Sequence, residues 1–337
     1  MNLIHQSLSR QSLAIPIRET HDVGDARRQA ILAARDMAFD ETAAGRVGIV
    51  VTELAGNLVK HAGGGTLILR ARRTGDACGL ELTTLDDGPG MDVQRCMADG
   101  YSTAGSPGTG LGAIKRLTAD FDIYSLRGRG SVMVAHLWAG TVPATAFDIG
   151  AICLPVAGET LCGDGWAVRE TPTGIDFVVC DGLGHGPLAA EASDLALSVF
   201  ADRPELEPGA LLERMHAALK ATRGAAALTA RLDSQAGQLT CAGIGNIGGY
   251  IMSQPKPKGL VSMNGIVGHQ VTRVKTFNYD YSANDLVILH SDGLTTHWKL
   301  DDFPGLVARS AGIIAAMMYK HFKRGKDDAT VLVLRRQ

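Results

Sequence analysis

The feature that most constrains this chain is an apolar strand that runs directly into an acidic, glycine-rich turn. The apolar residues 177–180 are followed by Asp181-Gly-Leu-Gly-His-Gly186, and an alanine-rich helix is predicted from Pro187. A buried strand of this kind holds the carboxylate at its end rigidly at a sheet edge. The glycines allow backbone to come close to whatever that carboxylate binds. The stretch therefore predicts a binding site at the edge of a sheet.

Three more acidic residues fall at the ends of predicted apolar strands, and they are Asp164, Asp292 and Asp327. A turn sequence at 171–174 joins strands predicted at 163–169 and 174–180. If that turn makes a simple hairpin, Asp164 lies directly opposite Asp181, whereas a bulge would shift the pairing by one. Like charges facing across a ladder are destabilising, so this pairing calls for a cation. Each acidic residue alone is typical of a turn, but together the four predict one metal site.

Length and composition limit the function classes. A chain of 337 residues favours two domains, and 45% hydrophobic with 20% charged residues is an ordinary globular composition. The formal net charge of −2 gives no reason to expect nucleic acid or an anionic membrane as a partner. No apolar run reaches the roughly 18 residues of a membrane span, and no signal peptide is evident, so a cytoplasmic protein is expected. The six cysteines contain no CxxC pair and are predicted to be buried thiols.

The first half reads as a strand at 12–18, helices at 21–39 and 41–61, strands at 66–72 and 79–85, a helix at 111–119 and a strand at 131–138. On the second helix Glu53 and Asn57 are four residues apart and project from one face. Taken alone, this pair also fits a solvated polar face. The strand ending at Leu85 leads into Asp86-Asp-Gly-Pro-Gly90, which can receive an amine donor while backbone packs on a flat ligand. A simple turn is the alternative interpretation.

A glycine-rich stretch, Gly108-Thr-Gly-Leu-Gly112, leads into the helix at 111–119. Glycines before a helix N-terminus leave backbone N–H groups and a positive dipole end free for phosphate. Alone, the pattern also suits a flexible loop, so the order of the three features carries the argument. Phosphoryl transfer requires positioning, a metal and a group that accepts the hydroxyl proton. A carboxylate such as Glu53, one turn from Asn57 on the same helix, suits that last role.

This order resembles the ATP-binding domain shared by histidine kinases, gyrase-type ATPases and anti-sigma-factor serine kinases. It is most similar to the serine kinases of bacterial stress-response switches. The resemblance spans about residues 10–138 and is carried by Glu53-Leu-Ala-Gly-Asn57, Asp86-Asp-Gly-Pro-Gly90, Asp99-Gly-Tyr-Ser-Thr103 and Gly108-Thr-Gly-Leu-Gly112. It implies an α/β sandwich that binds ATP with Mg²⁺.

By this resemblance Asn57 is the Mg²⁺ ligand and Asp86 receives the adenine amine, with Gly88 and Gly90 in the same motif. The resemblance further implies that Glu53 is the general base for a serine or threonine hydroxyl. The glycines that close over the phosphates would be Gly108, Gly110 and Gly112. No phospho-acceptor histidine helix precedes the domain, and His61 is interpreted as structural. These observations argue against a sensor histidine kinase.

The second half contains predicted strands at 163–169, 174–180, 225–232, 238–244, 248–252, 286–290 and 329–334, and helices at 187–200, 207–221 and 308–321. Small, turn-prone residues separate it from the first half. We therefore predict domains at 1–140 and 149–337 joined by a linker at 141–148.

This half resembles the metal-dependent serine/threonine phosphatases, in the branch found in bacterial sporulation and stress-response regulators. The motifs are Gly163-Asp-Gly165, Asp181-Gly-Leu-Gly-His-Gly186, Ser291-Asp-Gly293 and Asp327-Asp-Ala-Thr330, over about residues 150–335. The resemblance implies a four-layer α-β-β-α domain in which catalytic Asp181 bridges two Mn²⁺ or Mg²⁺ ions. The other ligands it implies are the Gly182 carbonyl, Asp164, Asp292 and Asp327. His185 is either a nearby acid or a residue that stabilises the turn, and no arginine is assigned to the phosphate.

Together these features predict an α+β protein of two domains that acts as a bifunctional regulator. The first domain would phosphorylate a partner with ATP, and the second would remove phosphate from serine or threonine. By resemblance, the partner is an anti-sigma-factor antagonist-type protein of a partner-switching or stressosome pathway. In the alternative, the first domain only binds ATP and sequesters a sigma factor or antagonist. A scaffold with both sites out of use ranks last, and homodimer formation is left open.

Overall fold

The structure is a computed structural model that describes residues 12–97, 110–253 and 256–337. By spatial proximity the chain divides into two compact units. Unit 1 contains Met1–Ala144 and Asp301–Met317, and unit 2 contains Thr145–Leu300 and Met318–Gln337. Within the described ranges, no helix has the length and apolar character needed to cross a membrane.

Unit 1 is built on one antiparallel sheet of strand order β1-β2-β3-β5-β4. Its strands are β1 (Leu13–Ile17), β2 (Gly65–Thr74), β3 (Ala77–Leu85), β4 (Asp120–Ser125) and β5 (Ser131–Trp138). Its helices before residue 145 are α1 (Thr20–Asp36), α2 (Glu41–Asn57), α3 (Val93–Cys96) and α4 (Gly110–Leu117). Helices α1 and α2 bury small and aliphatic side chains, such as Ala30 and Val50, against Leu67 and Leu80 of the sheet. This is the predicted α/β sandwich.

Helix α2 positions the acidic and amide residues expected at the nucleotide. It begins at Asp40, whose side chain accepts a hydrogen bond from the Ala43 backbone N–H at 2.7 Å, as a helix N-cap does. Its buried stripe includes Val47 and Leu54. The α-helix ends at Asn57, earlier than the predicted His61, because the next turn, Leu58–Ala62, is π-helical.

The second face of this sheet is also buried. The segment Asp301–Met317 comes late in the sequence, but it belongs to unit 1 and lies against this face of the sheet. The Ser310 backbone N–H donates to Asp122 Oδ2 at 2.9 Å, and the Tyr124 hydroxyl donates to the Pro304 carbonyl at 3.0 Å. Unit 1 therefore includes a segment that residues 145–300 of unit 2 separate from the rest of it in the sequence.

Unit 2 contains two five-stranded antiparallel sheets, ordered β13-β10-β9-β8-β7 and β12-β11-β14-β15-β6. Its strands are β6 (Phe147–Leu154), β7 (Asp164–Thr171), β8 (Gly174–Gly182), β9 (Ala225–Asp233), β10 (Gln238–Ile244), β11 (Gly248–Met252), β12 (Lys258–Gly259), β13 (Phe277–Asp280), β14 (Leu286–His290) and β15 (Ala329–Arg336). Its helices are α5 (Pro187–Asp202) and α6 (Pro208–Ala218), and α7 (Ala311–Phe322) crosses the boundary between the units.

One apolar core of unit 2 combines side chains from both sheets, such as Phe177 and Leu332. A second core packs α5 and α6 against the first sheet through Ala192, Leu212 and Val178. Helices α5 and α6 thus form a helical layer over the first of the two sheets of unit 2. The mixed α/β chain with a sandwich and a two-sheet domain confirms the predicted fold class.

Strand β6 was not predicted, and it begins at Phe147, inside the expected linker of 141–148. It forms the edge of the second sheet of unit 2 and pairs along its whole length with β15. The charged edge strand β4 and the short strands β12 and β13 were also missed. The six cysteines are free, four of them buried and two half-buried, which confirms the predicted thiols.

Candidate active sites

In unit 2 the two acidic strand ends meet as predicted. Strands β7 and β8 pair from Thr171 with Gly174 through to Asp164 with Asp181, without a bulge in that register. Asp164 is 5% exposed and Asp181 is half-buried. The two carboxylates therefore lie on opposite strands at one end of the hairpin, where a like-charge pair is unfavourable unless something neutralises it.

Burial and mutual repulsion dominate the electrostatics of these carboxylates. Burial, together with the neighbouring carboxylates Asp164, Asp292 and Asp327, raises the pKa of Asp181 to about 9. Burial also raises the pKa of Asp164 to about 7, although the Ser291 hydroxyl donates to its Oδ2 at 2.6 Å and opposes the rise. All four predicted acidic ligands thus act on the same small region.

Asp292 follows β14 and is held by a side chain that the sequence analysis missed. Asn246 Nδ2 donates to Asp292 Oδ2 at 2.7 Å from the turn between β10 and β11. The pKa of Asp292 is raised by burial and by Asp327, and the positive charge of Arg324 counteracts this rise. A short turn with an asparagine between two predicted strands is the sequence signal that marks Asn246.

Asp328, next to the predicted ligand Asp327, supports the backbone. Its two carboxylate oxygens accept hydrogen bonds from the Val156 N–H at 2.7 Å and the Gly163 N–H at 2.6 Å. These bonds fix the loop that leads into Asp164. Because both of its oxygens are bonded to backbone N–H groups, Asp328 orients the loop before Asp164 and supports the site indirectly.

The turn after Asp181 requires glycine for close packing. A methyl group on Gly182 would lie 2.1 Å from the Ala189 carbonyl oxygen, so no larger residue fits. His185 Nδ1 lies 2.8 Å from Glu159 Oε1, which ties this turn to the preceding loop. Of the two roles left open for His185, this hydrogen bond favours the one that stabilises the turn.

The donors at this site are all oxygen atoms, which suits Mg²⁺ or Mn²⁺ better than zinc. Buried carboxylates with raised pKa values and no neutralising side chain in contact fit a divalent cation. Across residues 12–97, 110–253 and 256–337, however, no three acidic, histidine or cysteine side chains converge closely enough to form a ready-made metal cage. The metal ligation of Asp164, Asp181, Gly182, Asp292 and Asp327 therefore stays a prediction.

In unit 1 the predicted adenine residue, Asp86, lies just after β3 and is 7% exposed. Its Oδ1 accepts hydrogen bonds from the backbone N–H groups of Gly88 at 2.9 Å and Ser131 at 3.2 Å. A methyl group on Gly88 would lie 2.8 Å from Ala62 Cα, in the π-helical turn that follows Asn57. The strand end and the end of α2 are thus packed directly against each other.

Gly90 and Gly110 complete the described part of this site. Gly90 has φ +71°, and a methyl group there would lie 2.2 Å from the Leu126 carbonyl oxygen. A methyl group on Gly110, the first residue of α4, would lie 2.9 Å from Glu53 Oε2. Glu53 is therefore next to the predicted phosphate-binding helix start. Gly112 lies within α4, and Gly108 lies outside the described residues.

Fold and site geometry define the class. Unit 1 is a histidine kinase-like ATPase domain, and unit 2 contains a phosphatase domain of the metal-dependent type. Residues 17–136 match the family described as "Histidine kinase-like ATPase domain", and residues 171–337 match "Stage II sporulation protein E (SpoIIE)".

The relatives divide between the same two parts of the chain. The serine/threonine-protein kinase RsbT of Bacillus subtilis (strain 168) is 32% identical over 118 residues, which is 35% of this chain and 89% of RsbT. The phosphoserine phosphatase RsbX of the same organism is 27% identical over 139 residues, 41% of this chain and 69% of RsbX. A crystal structure of RsbX in complex with magnesium matches with a TM-score of 0.51 and 22% identity over 59% of this chain and 99% of that chain.

A further solved structure is described as "The bacterial stressosome: a modular system that has been adapted to control secondary messenger signaling". It matches with a TM-score of 0.54 and 27% identity over 57% of this chain and 100% of that chain. The chain therefore belongs to the RsbT family of serine/threonine-protein kinases through its N-terminal domain, and its C-terminal domain is of the SpoIIE type.

Proposed function

We propose that this chain is a bifunctional regulator that both adds and removes a phosphate on serine or threonine of a partner protein. The observation that carries the proposal is the direct pairing of Asp164 with Asp181, since a strand end that concentrates carboxylates needs an external cation. The kinase half rests on Glu53, which lies against the N-terminus of α4. Because the kinase reaction consumes ATP and supplies the phosphoprotein that the phosphatase hydrolyses, we include a cytoplasmic location in this proposal.

In the kinase half, Asp86 would accept the adenine amine, and the backbone at Gly88, Gly90, Gly108, Gly110 and Gly112 would pack around the nucleotide. Asn57 would hold the Mg²⁺ that accompanies ATP and neutralises its phosphates. Glu53 would accept the proton of the incoming hydroxyl, since a carboxylate beside the phosphate loop is placed for general-base work.

In the phosphatase half, Asp164, Asp181, Asp292, Asp327 and the Gly182 carbonyl would hold two Mn²⁺ or Mg²⁺ ions. Such ions supply an activated water and neutralise the phosphoryl oxygens. Asn246 would keep Asp292 in one rotamer through its 2.7 Å hydrogen bond. Asp328 would fix the backbone before Asp164, because both of its oxygens are bonded there.

The partner we propose is an anti-sigma-factor antagonist-type protein, within a partner-switching or stressosome pathway. The likeness to RsbT, to the phosphoserine phosphatase RsbX and to a chain from the stressosome structure supports this choice. Opposed activities in one chain would set the phosphorylation of that partner by the balance of ATP, metal and an input signal. In the second candidate function, the N-terminal domain binds ATP only to sequester the partner or a sigma factor. A phosphorylation assay distinguishes this function from the bifunctional one.

The experiment uses full-length protein, Mg²⁺ and Mn²⁺, radiolabelled ATP and an antagonist domain from the same genome. Wild type is compared with Asp181→Asn, Asn57→Ala and the control Asp233→Asn, whose exposed carboxylate caps a turn. We expect label to accumulate on the partner with Asp181→Asn and to be absent with Asn57→Ala. No label in any variant, with phosphorylated partner still hydrolysed by wild type, would establish the sequestering role. Loss of both activities in either single variant would contradict two separate sites.

A further inference from the structure

The phosphatase site has a charge requirement that its predicted ligands do not meet. In the proposed site the carboxylates Asp164, Asp181, Asp292 and Asp327 would balance the charge of two divalent cations, so the loaded site would be about neutral. A phosphoserine then brings a further charge of about −1.5 to −2 at pH 7. A positively charged side chain at the rim would meet that charge, and the sequence analysis assigned none.

Arg324 is held at this rim by its backbone. Its N–H donates to the Gly293 carbonyl at 2.8 Å, and Lys323 pairs with Leu294 in an isolated antiparallel bridge. Residue 324 is therefore fixed beside the residue that follows Asp292. The turn it belongs to leads into Asp327, so two of the predicted ligands border it.

The guanidinium of Arg324 is exposed and is not used elsewhere in the fold. Within the described ranges it makes no hydrogen bond or ion pair, yet it is close enough to act electrostatically on Asp292 and His290. A charge that is near the carboxylates without contacting them remains available for a ligand. An exposed guanidinium also matches the fork geometry of phosphate oxygens.

Four other cationic side chains of unit 2 are engaged in the fold. Arg169 and Arg231 both bind Asp176, and Arg335 binds Asp148. The Lys323 ammonium lies over the Tyr319 ring, 4.7 Å from its centroid. These contacts occupy the four side chains within the fold, and one further arginine competes with Arg324 for the role.

That competitor is Arg223, whose Nη1 would lie 3.1 Å from a methyl group on Gly184. Gly184 has φ +86°, so it lacks a side chain for conformational reasons as well. Arg223 thus lies along the backbone of the turn after Asp181. Because Arg223 packs against this turn, we assign it a role in supporting the loop.

We infer that Arg324 binds the phosphoryl group of the substrate at the phosphatase site. It would act as a substrate-binding residue, with its guanidinium donating to the phosphoryl oxygens that face away from the metals. This inference rests on the proposed phosphatase function. It adds the residue that recognises the charge of the substrate.

The test measures inorganic phosphate binding to Mn²⁺-loaded, full-length protein by titration calorimetry, alongside hydrolysis of p-nitrophenyl phosphate. The variants are Arg324→Ala, Arg324→Lys, Arg223→Ala and the neighbouring control Lys323→Ala. We expect Arg324→Ala to weaken phosphate binding by about tenfold or more, as loss of a charge-assisted contact does. Arg324→Lys should recover part of the binding, and Lys323→Ala should match wild type.

Mn²⁺ affinity, measured in the same samples, separates phosphate binding from an effect through Asp292. Unchanged Mn²⁺ affinity with weakened phosphate binding supports the inference. Unchanged phosphate binding, a parallel loss of Mn²⁺, or a larger loss in Arg223→Ala would each overturn it. If wild type binds phosphate through Arg324 but hydrolyses no phosphomonoester, the proposed phosphatase function fails while the binding role of Arg324 stands.

Discussion

Two buried carboxylates, one in each unit, differ in whether neighbouring side chains neutralise their charge. Glu81 in β3 is 2% exposed and is bound by Arg70, with Nε to Oε1 at 3.0 Å and Nη2 to Oε2 at 2.6 Å. His136 Nε2 lies 2.9 Å from Glu81 Oε2. Asp164 in β7 is 5% exposed, and the Ser291 hydroxyl donates to its Oδ2 at 2.6 Å.

The pKa values follow from these partners. Burial would raise the pKa of Glu81, but Arg70 and His136 overcome it and hold that pKa far below its ordinary value. For Asp164 and Asp181 burial prevails, and neighbouring carboxylates add to the rise. A buried carboxylate that the chain itself neutralises is part of the structure. One that the chain leaves unneutralised marks a place for an external cation.

The largest expected effect comes from removing the cation beside Glu81. Arg70→Ala should lower the free energy of unfolding of unit 1 by about 3–5 kcal/mol. Among the residues that the structure describes, it leaves the buried Glu81 charge with His136 and the more distant Arg72. Denaturant unfolding of the full chain measures this. In the double variant Arg70→Met/Glu81→Leu, which removes both charges, most of the stability should return. A single variant as stable as wild type would show that the pair is not needed.

The carboxylates of unit 2 should respond to metal instead. With ATP absent, Mn²⁺ at about 100 times its Kd should stabilise the protein by about 2.7 kcal/mol. Asp181→Asn should abolish this rise in Tm. Without metal the variant should unfold no earlier than wild type, because burial and the neighbouring carboxylates raise the pKa of Asp181 and the amide is neutral without a bound proton. An equal Mn²⁺-induced rise in Asp181→Asn and in the control Asp233→Asn would contradict the metal site.

Only part of the contrast between the two carboxylates could be predicted from the sequence. The hairpin turn and strand pattern predicted the pairing of Asp164 with Asp181 correctly, because side-chain alternation and loop length set the register. Strands at 238–244, 248–252 and 286–290 were predicted with the bounds observed. Strong apolar patterns between turns made these elements readable.

The features that could not be predicted from the sequence depend on contacts between residues that are far apart in the chain. Glu81 and Arg70 are adjacent only because β2 and β3 pair, and periodicity does not say which polar side chain will be buried. The packing of Asp301–Met317 within unit 1 has no local signal. Strand β6 was missed since Asp148 and Gly150 interrupt its apolar run. The roles of Asn246 and Asp328 likewise come from hydrogen bonds across long stretches of chain.

A smaller effect is expected from a residue that orients a predicted ligand. Asn246→Ala removes the 2.7 Å hydrogen bond to Asp292 and should weaken Mn²⁺ binding by about tenfold, the lower range for such supporting contacts. Calorimetric titration with Mn²⁺ measures it. Asn278→Ala, which removes a surface hydrogen bond to Thr240, is the matched control. Equal Mn²⁺ affinity in both variants would remove Asn246 from the site.

The smallest effect tests the sign of the Glu81 shift. Its pKa in the folded state is depressed below the ordinary value of 4.5, so the stability it contributes is present above that value and is lost as the pH falls towards the folded pKa. Between about pH 5.5 and 4.5 the loss attributable to Glu81 should be about 0.4 kcal/mol, since protonation of the unfolded state has only begun. Charges facing Glu81 come from Arg70, Arg72 and His136. The free energy of unfolding, measured with denaturant across this pH range, should therefore fall less steeply for Glu81→Gln than for wild type. A steeper fall for the variant would contradict the assignment of Glu81 as the neutralised carboxylate.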